Sequence, residues 1–147
     1  MQSRGIGDSF NLERFVEAQA DIYSSALAEL QSGEKQSHWM WFIFPQIRGL
    51  GRSPTALKFA ISGRDEARAY LAHLILGPRL IECTELVLRT RGRSLAEIFG
   101  SPDDLKFCLS MTLFAEAAPE QELFSEAIRR YCDGHFDPLT LQLLARP

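Results

Sequence analysis

The stretch that most limits the fold is the run from Pro102 to Ala117. Leu105, Phe107, Cys108, Leu109, Met111, Leu113 and Phe114 face every direction at helical spacing. The run therefore predicts a helix wrapped by other elements rather than one lying on a surface. Lys106, Ser110 and Thr112 are its polar exceptions, and Lys106 and Ser110, four apart, share one face. A lysine in so apolar a helix needs a carboxylate, a ligand anion or a solvent channel, because an unpaired buried charge is very costly. Asp103, three residues earlier, or another helix could supply that carboxylate.

The surrounding chain is punctuated as helices. Leu12, Phe15, Val16, Ile22, Tyr23, Ala26, Leu27 and Leu30 predict one helix from Leu12 to Leu30, with Asp8, Ser9 or Asn11 to cap it and Gly33 just past its end. Ser53-Pro54 opens a short helix through about Ile61, and Ser62-x-x-Asp65 resembles a capping box before a helix through His73. Gly77-Pro78 opens the next, which frays in the basic turn from Arg89 to Arg93. Ser94-x-x-Glu97 caps a short helix closed by Gly100. Glu120 to Tyr131 makes another, Asp133-Gly134 reads as its stop, and Asp137-Pro138 starts a last helix through Leu144. Period-two alternation is nowhere sustained, and no hairpin signal separates two apolar runs. The expectation is all-α: one compact domain of about eight or nine short helices over residues 8–145, preceded by a short flexible N-terminus over residues 1–7.

Composition narrows the class. An apolar content of 46% with 24% charged residues is ordinary for a soluble globular protein. The net charge of −3 argues against a dedicated nucleic-acid binder, which normally carries a basic excess or stripe. Cys83, Cys108 and Cys132 are odd in number, lie far apart and form no C-x-x-C pair, so they predict buried or semi-buried free thiols in a reducing cytoplasm. Arg4 has no apolar segment behind it of the kind a secretory signal needs. The longest fully apolar run, Trp39 to Phe44, is far short of the ~20 residues of a membrane helix. A cytoplasmic protein without a membrane span is expected. No metal site is indicated, and the residues name neither a cofactor nor an oligomeric state.

Chemistry gathers around Gln36 to Gln46. Six consecutive apolar residues there fit a buried strand or a short buried helix; Ser37 as a cap, Met40 and the flanking helices favour helix, and Pro45 stops it. His38 could act as a general base or ligand donor beside Gln46, an amide able to read a ligand's edge, or it could be a core histidine. Trp39 and Trp41 could stack on a planar ligand or simply fill the core. Lys106 with Ser110 suggests an anion clamp more than a nucleophile and its base. Gly49-Leu50-Gly51, between Arg48 and Arg52 and followed by Ser53, could cradle a phosphate or could serve a sharp turn between helices. Gly77-Pro78-Arg79 allows the same two readings, with Arg79 as the anion ligand. Arg89, Arg91 and Arg93 form the only basic cluster, too small to imply nucleic acid. His73 and His135 have no partners at ligand spacing.

These residues also carry a resemblance. Lys35-x-x-His38-Trp39-Met40-Trp41-Phe42-Ile43-Phe44-Pro45-Gln46, then Gly49-Leu50-Gly51-x-Ser53, is similar to the signature of the bacterial family called domain of unknown function 1810. Two further blocks agree, Glu66-Ala67-x-Ala69-Tyr70-Leu71-x-His73-x-x-Leu76-Gly77-x-Arg79-Leu80 and Phe99-Gly100-x-x-Asp103-Asp104-x-Lys106 through Phe114. The resemblance implies a small, compact, all-helical fold and carries over no catalytic role. Members are sometimes labelled "calpastatin", yet nothing here looks like a disordered calpain-inhibitor repeat. The chain departs from the signature at Leu74, where a proline usually follows the histidine, and at Cys108 and Leu109, which replace a more polar pair.

Two functional readings follow. In the first, a cytoplasmic helical domain binds a small anionic or planar ligand in an aromatic-lined pocket formed by His38, Trp39, Trp41, Gln46, Arg79, Lys106 and Ser110. In the second, the aromatic stretch is pure core and the protein is an interaction or structural module. Nucleic-acid binding through the three arginines ranks last.

Overall fold

The structure, a computed structural model, describes residues 8–146; the flexible N-terminus expected over residues 1–7 lies outside them. Among the described residues the chain is all-α, with ten helices: α1 (Glu13–Gln19), α2 (Tyr23–Ser32), α3 (Met40–Ile43), α4 (Pro54–Lys58), α5 (Arg64–Ala72), α6 (Leu76–Arg89), α7 (Leu95–Phe99), α8 (Asp103–Ala117), α9 (Glu122–Tyr131) and α10 (Pro138–Ala145). The count exceeds the expected eight or nine because the helix predicted over Leu12 to Leu30 is two. Around the break, Ala20 N–H donates to Glu17 O and Ile22 N–H to Gln19 O, the tighter i→i−3 pattern that closes one helix before the next begins. Gln19 occupies the one position of that apolar face held by a polar side chain. It is buried, and its amide donates to Phe42 O at 2.7 Å.

The apolar-all-round helix is central, as its pattern predicts. α8 packs against α5, α7, α9 and α10. Its Phe107 ring lies 5.2 Å from both Phe44 and Phe99, and Phe114 lies 5.5 Å from Tyr70 and 5.7 Å from Phe124. Aromatic pairs at such separations add ~0.5–1.5 kcal/mol each beyond their area. One cluster of buried side chains runs from Leu12 through Ile128.

Several helix starts follow the local code. Ser94 and Glu97 make the reciprocal capping box, Ser53 accepts from Ala56 N–H ahead of Pro54, and Asp137 accepts from Thr140 N–H ahead of Pro138. Others depart from it. Ser62 does not cap α5; its own N–H donates at 2.8 Å to Glu66, whose buried carboxylate also pairs with Arg14 at 2.8 Å. α6 begins at Leu76 rather than Gly77, because His73 Nδ1 accepts from Ile75 N–H at 3.1 Å and Leu76 N–H at 3.2 Å. Gly77 serves packing instead: a Cβ there would stand 2.1 Å from Leu71 O, so α5 and α6 can approach this closely only at glycine.

The aromatic stretch is helical for only one turn, α3, and then becomes extended. Ile47 pairs with Ile61 in an isolated parallel bridge, through Ile61 N–H to Gln46 O at 2.9 Å and Arg48 N–H to Ile61 O at 2.8 Å. For that reason α4 stops at Lys58 and does not reach Ile61. Arg14 holds the turn between them, donating to Lys58 O at 2.7 Å and Ala60 O at 2.9 Å as well as to Glu66.

The cysteines correct the expectation of three free thiols. Cys108 on α8 and Cys132 at the end of α9 form a disulfide, their Cα atoms 5.9 Å apart. The two helices lie side by side, which brings together residues 24 positions apart in the chain. Cys83 alone is free, and burial pushes its thiol up to about 12, which leaves it an unreactive core side chain.

Candidate functional site

A cleft of about 400 Å³ opens between the Gln46–Ser53 segment, the α4 region and the first turns of α8. Trp41, Phe59, Leu105 and Leu109 supply apolar wall; Gln46, Arg52, Ser53 and Lys106 supply polar groups. No acidic residue lines it.

The parts are held by local chemistry. Trp41 sits on α3, whose neighbour Trp39 is fully buried and donates its indole N–H to Glu29 at 2.8 Å. The Glu29 carboxylate on α2 also accepts from Gln36 N–H at 2.9 Å, Ser37 N–H at 3.0 Å and Ser37 Oγ at 2.5 Å. Burial alone would raise its pKa. The bonds from the Ser37 side chain, the Gln36 and Ser37 backbone and the Trp39 indole outweigh burial and hold it at about 2. A fully charged Glu29 thus anchors the segment leading into α3. On the far wall, Gly51 is pinned against α4: a Cβ there would lie 2.8 Å from that of Ala56.

Lys106 is the electrostatic centre. Its Nζ lies 4.9 Å from the Trp41 ring centroid and 3.7 Å from Asp103 Oδ1, so the carboxylate three residues earlier does partner it. Asp103 is held more closely by Lys35, at 2.8 Å, and the Lys35 side chain is only 7% exposed. Two lysines share one carboxylate, which leaves one net positive charge beside the Trp41 ring. Arg52 adds a second from the loop. Cation–π contact contributes ~0.5–2 kcal/mol and turns the Lys106 ammonium toward the aromatic wall.

Of the residues that sequence reasoning assigned to one pocket, the cleft brings together Trp41, Gln46 and Lys106. The others lie elsewhere. His38 is exposed and does not line the cleft. Trp39 is core. Arg79 stacks on Tyr23 at 4.4 Å and donates to Gln19 Oε1 at 3.2 Å, on the α2–α6 side. Ser110 is fully buried and its hydroxyl has no hydrogen-bond partner among the described residues, so Lys106 does not activate it as a nucleophile. Arg52, Leu105 and Leu109 were missed as lining residues. Arg52 had a signal, since it flanks the glycines already singled out. Among the described residues no group of three or more His, Cys, Asp or Glu is placed to hold a metal, and no helix is long and apolar enough to cross a membrane.

The comparisons agree with the all-helical fold. The chain is similar to the crystal structure of the conserved hypothetical protein Rv1873 from Mycobacterium tuberculosis, at 54% identity and a TM-score of 0.93, over 95% of this chain and 100% of that one. No functionally curated protein matches it. Residues 9–144, which hold all three sequence blocks described above, match the family described as "Protein of unknown function (DUF1810)", and the chain belongs to that family.

Proposed function

We propose that this is a binding domain for a small anionic ligand with a planar apolar part, seated in the cleft beside Trp41. One observation carries the reading: Lys106 and Arg52 bring positive charge to an aromatic-walled cleft that no acidic residue lines. Clefts of roughly 300–1,000 Å³ with a few convergent polar groups are the usual form of small-molecule sites. Gln46 supplies an amide that can donate and accept at a ligand's edge. The one cluster of buried side chains shared by the helices supports a single domain over residues 8–145, and the proposal keeps the protein in the cytoplasm.

Trp41 is a built-in reporter. Titration with small aromatic anions should quench tryptophan fluorescence saturably and raise the melting temperature, as ligand binding to the native state requires. Trp41→Leu and Lys106→Met should each abolish both effects while leaving the far-UV spectrum of the fold. A panel that shifts neither signal, or shifts both equally in the variants, defeats the reading. Alkylation trapping of thiols at cell lysis tests the compartment: the Cys108–Cys132 bond should be found largely reduced in a cytoplasmic protein.

The second reading, an interaction module, is favoured by the corner between α5 and α6, where Leu74 is 91% exposed beside Ile75 at 41%. A self-association that Leu74→Asp abolishes, seen by light scattering, would support it; a monomer in both forms would not.

A further inference from the structure

We infer that the cleft selects a phosphate monoester carried on a planar aromatic group, with the nucleoside monophosphates as its representatives. The inference rests on the cleft reading above and narrows its ligand class. Its polar groups divide by position. On the loop side, the backbone N–H groups of Gly49, Gly51, Arg52 and Ser53 donate to no other group among the described residues, and all four residues line the cleft. Three of these donors are consecutive, and Arg52, one of those three residues, also brings a guanidinium to the cleft lining. Across from them stands Lys106, already turned toward Trp41.

This set of donors suits one kind of anion better than another. A carboxylate offers two oxygens in a plane and one charge. A phosphate monoester offers three terminal oxygens and a charge of about −1.5 to −2 near neutral pH, which matches several donors and two cations. Gly51 lets the loop lie close against Ala56 of α4, where a Cβ would stand 2.8 Å from the alanine's own, and so fixes the loop's donors beside the cleft. The aromatic half of the ligand has its own place, since the Trp41 indole lines the cleft beside Lys106 and Gln46 offers an amide for a base edge. At about 400 Å³ the cleft lies near the lower end of the usual range for ligand sites, a size for a mononucleotide rather than a dinucleotide.

The test is a calorimetric and fluorescence titration of the full chain with the common ribonucleoside 5′-monophosphates, the matching nucleosides, inorganic phosphate and indole-3-acetate. At least one monophosphate should bind about tenfold or more tighter than its nucleoside, phosphate or the carboxylate. Arg52 is exposed on the loop, so Arg52→Ala leaves the core intact; it should weaken the monophosphate about tenfold and leave its nucleoside unchanged. Trp41→Leu should weaken monophosphate and nucleoside alike and leave phosphate unchanged. If indole-3-acetate binds as tightly as every monophosphate, or Arg52→Ala acts equally on nucleoside and monophosphate, the phosphate assignment is overturned while the cleft reading stands. If none of the probes binds, both are overturned.

Discussion

Glu29 makes a measurable claim about how the aromatic stretch is held. Its Oε1 accepts three N–H groups, from Gln36, Ser37 and Trp39, and its Oε2 accepts the Ser37 hydroxyl. Glu29→Gln keeps an oxygen for the first three donors and offers an amide to the serine, so it removes the charge and little else. The carboxyl sits at about 2 in the folded protein against an ordinary 4.5. That difference corresponds to ~3 kcal/mol if fully expressed. Solvent screening of this half-buried group lowers it to about 1–2 kcal/mol. The sign is that of a depressed carboxylate: the stabilisation is complete above about pH 5 and disappears as pH falls toward 2. Urea unfolding of both forms should therefore differ by about 1–2 kcal/mol near pH 7 and converge near pH 2–3. Glu29→Ala should cost a further ~1–3 kcal/mol, because the buried Trp39 indole N–H then has no acceptor, and that increment should persist at low pH. An equal deficit of Glu29→Gln at both pH values, or none near neutrality, would refute the account of a charged anchor.

Other perturbations have separate readouts. Arg14→Ala strands the buried Glu66 carboxylate and removes the donors to Lys58 O and Ala60 O, so chemical unfolding should show a loss of about 3–5 kcal/mol. Reducing the Cys108–Cys132 bond, which closes a loop of about 25 residues, should lower stability by about 3 kcal/mol, read as a shift in the urea midpoint with and without dithiothreitol. Gly77→Ala must push α6 away from Leu71 O; we expect a loss above about 3 kcal/mol or no soluble protein, whereas Gly92→Ala, with open space around it, should cost at most about 1–2 kcal/mol for its left-handed backbone. Acrylamide should quench Trp41 and spare Trp39, so Trp41→Phe should remove most of the quenchable emission.

The parts of the fold that were legible in the sequence are those whose cause is local. Ser94 with Glu97, Ser53 with Pro54 and Asp137 with Pro138 each carry a cap and its target within four residues. The crowded pattern of α8 announces its own burial. The break between α1 and α2 was not legible, because the apolar periodicity continues through Gln19 and predicts one helix from Leu12 to Leu30. What could not be read is set by contacts across the chain. The disulfide requires α8 and α9 to be neighbours, and Glu29 holds Trp39 through the return of the chain from α2. The site divides the same way. Lys106 was recognisable because its helix is otherwise apolar. Trp39 and Trp41, two residues apart, went to core and cleft because α3 is a single turn, and the phase of a single turn is fixed by its anchors rather than by its own pattern.

Asp103 has one more consequence, for how the cleft should respond to salt. With Lys35 bound to it closely and Lys106 more loosely, the carboxylate serves as a resident counter-ion for the cleft. An arriving anion then exchanges places with a protein carboxylate at Lys106, and Lys35 keeps Asp103 neutralised throughout. Little mobile salt need be released from that side, so the ionic-strength dependence of binding should come almost entirely from Arg52. In Asp103→Asn the lysine would draw its counter-ion from solution, and the same ligand should bind with a steeper dependence on salt.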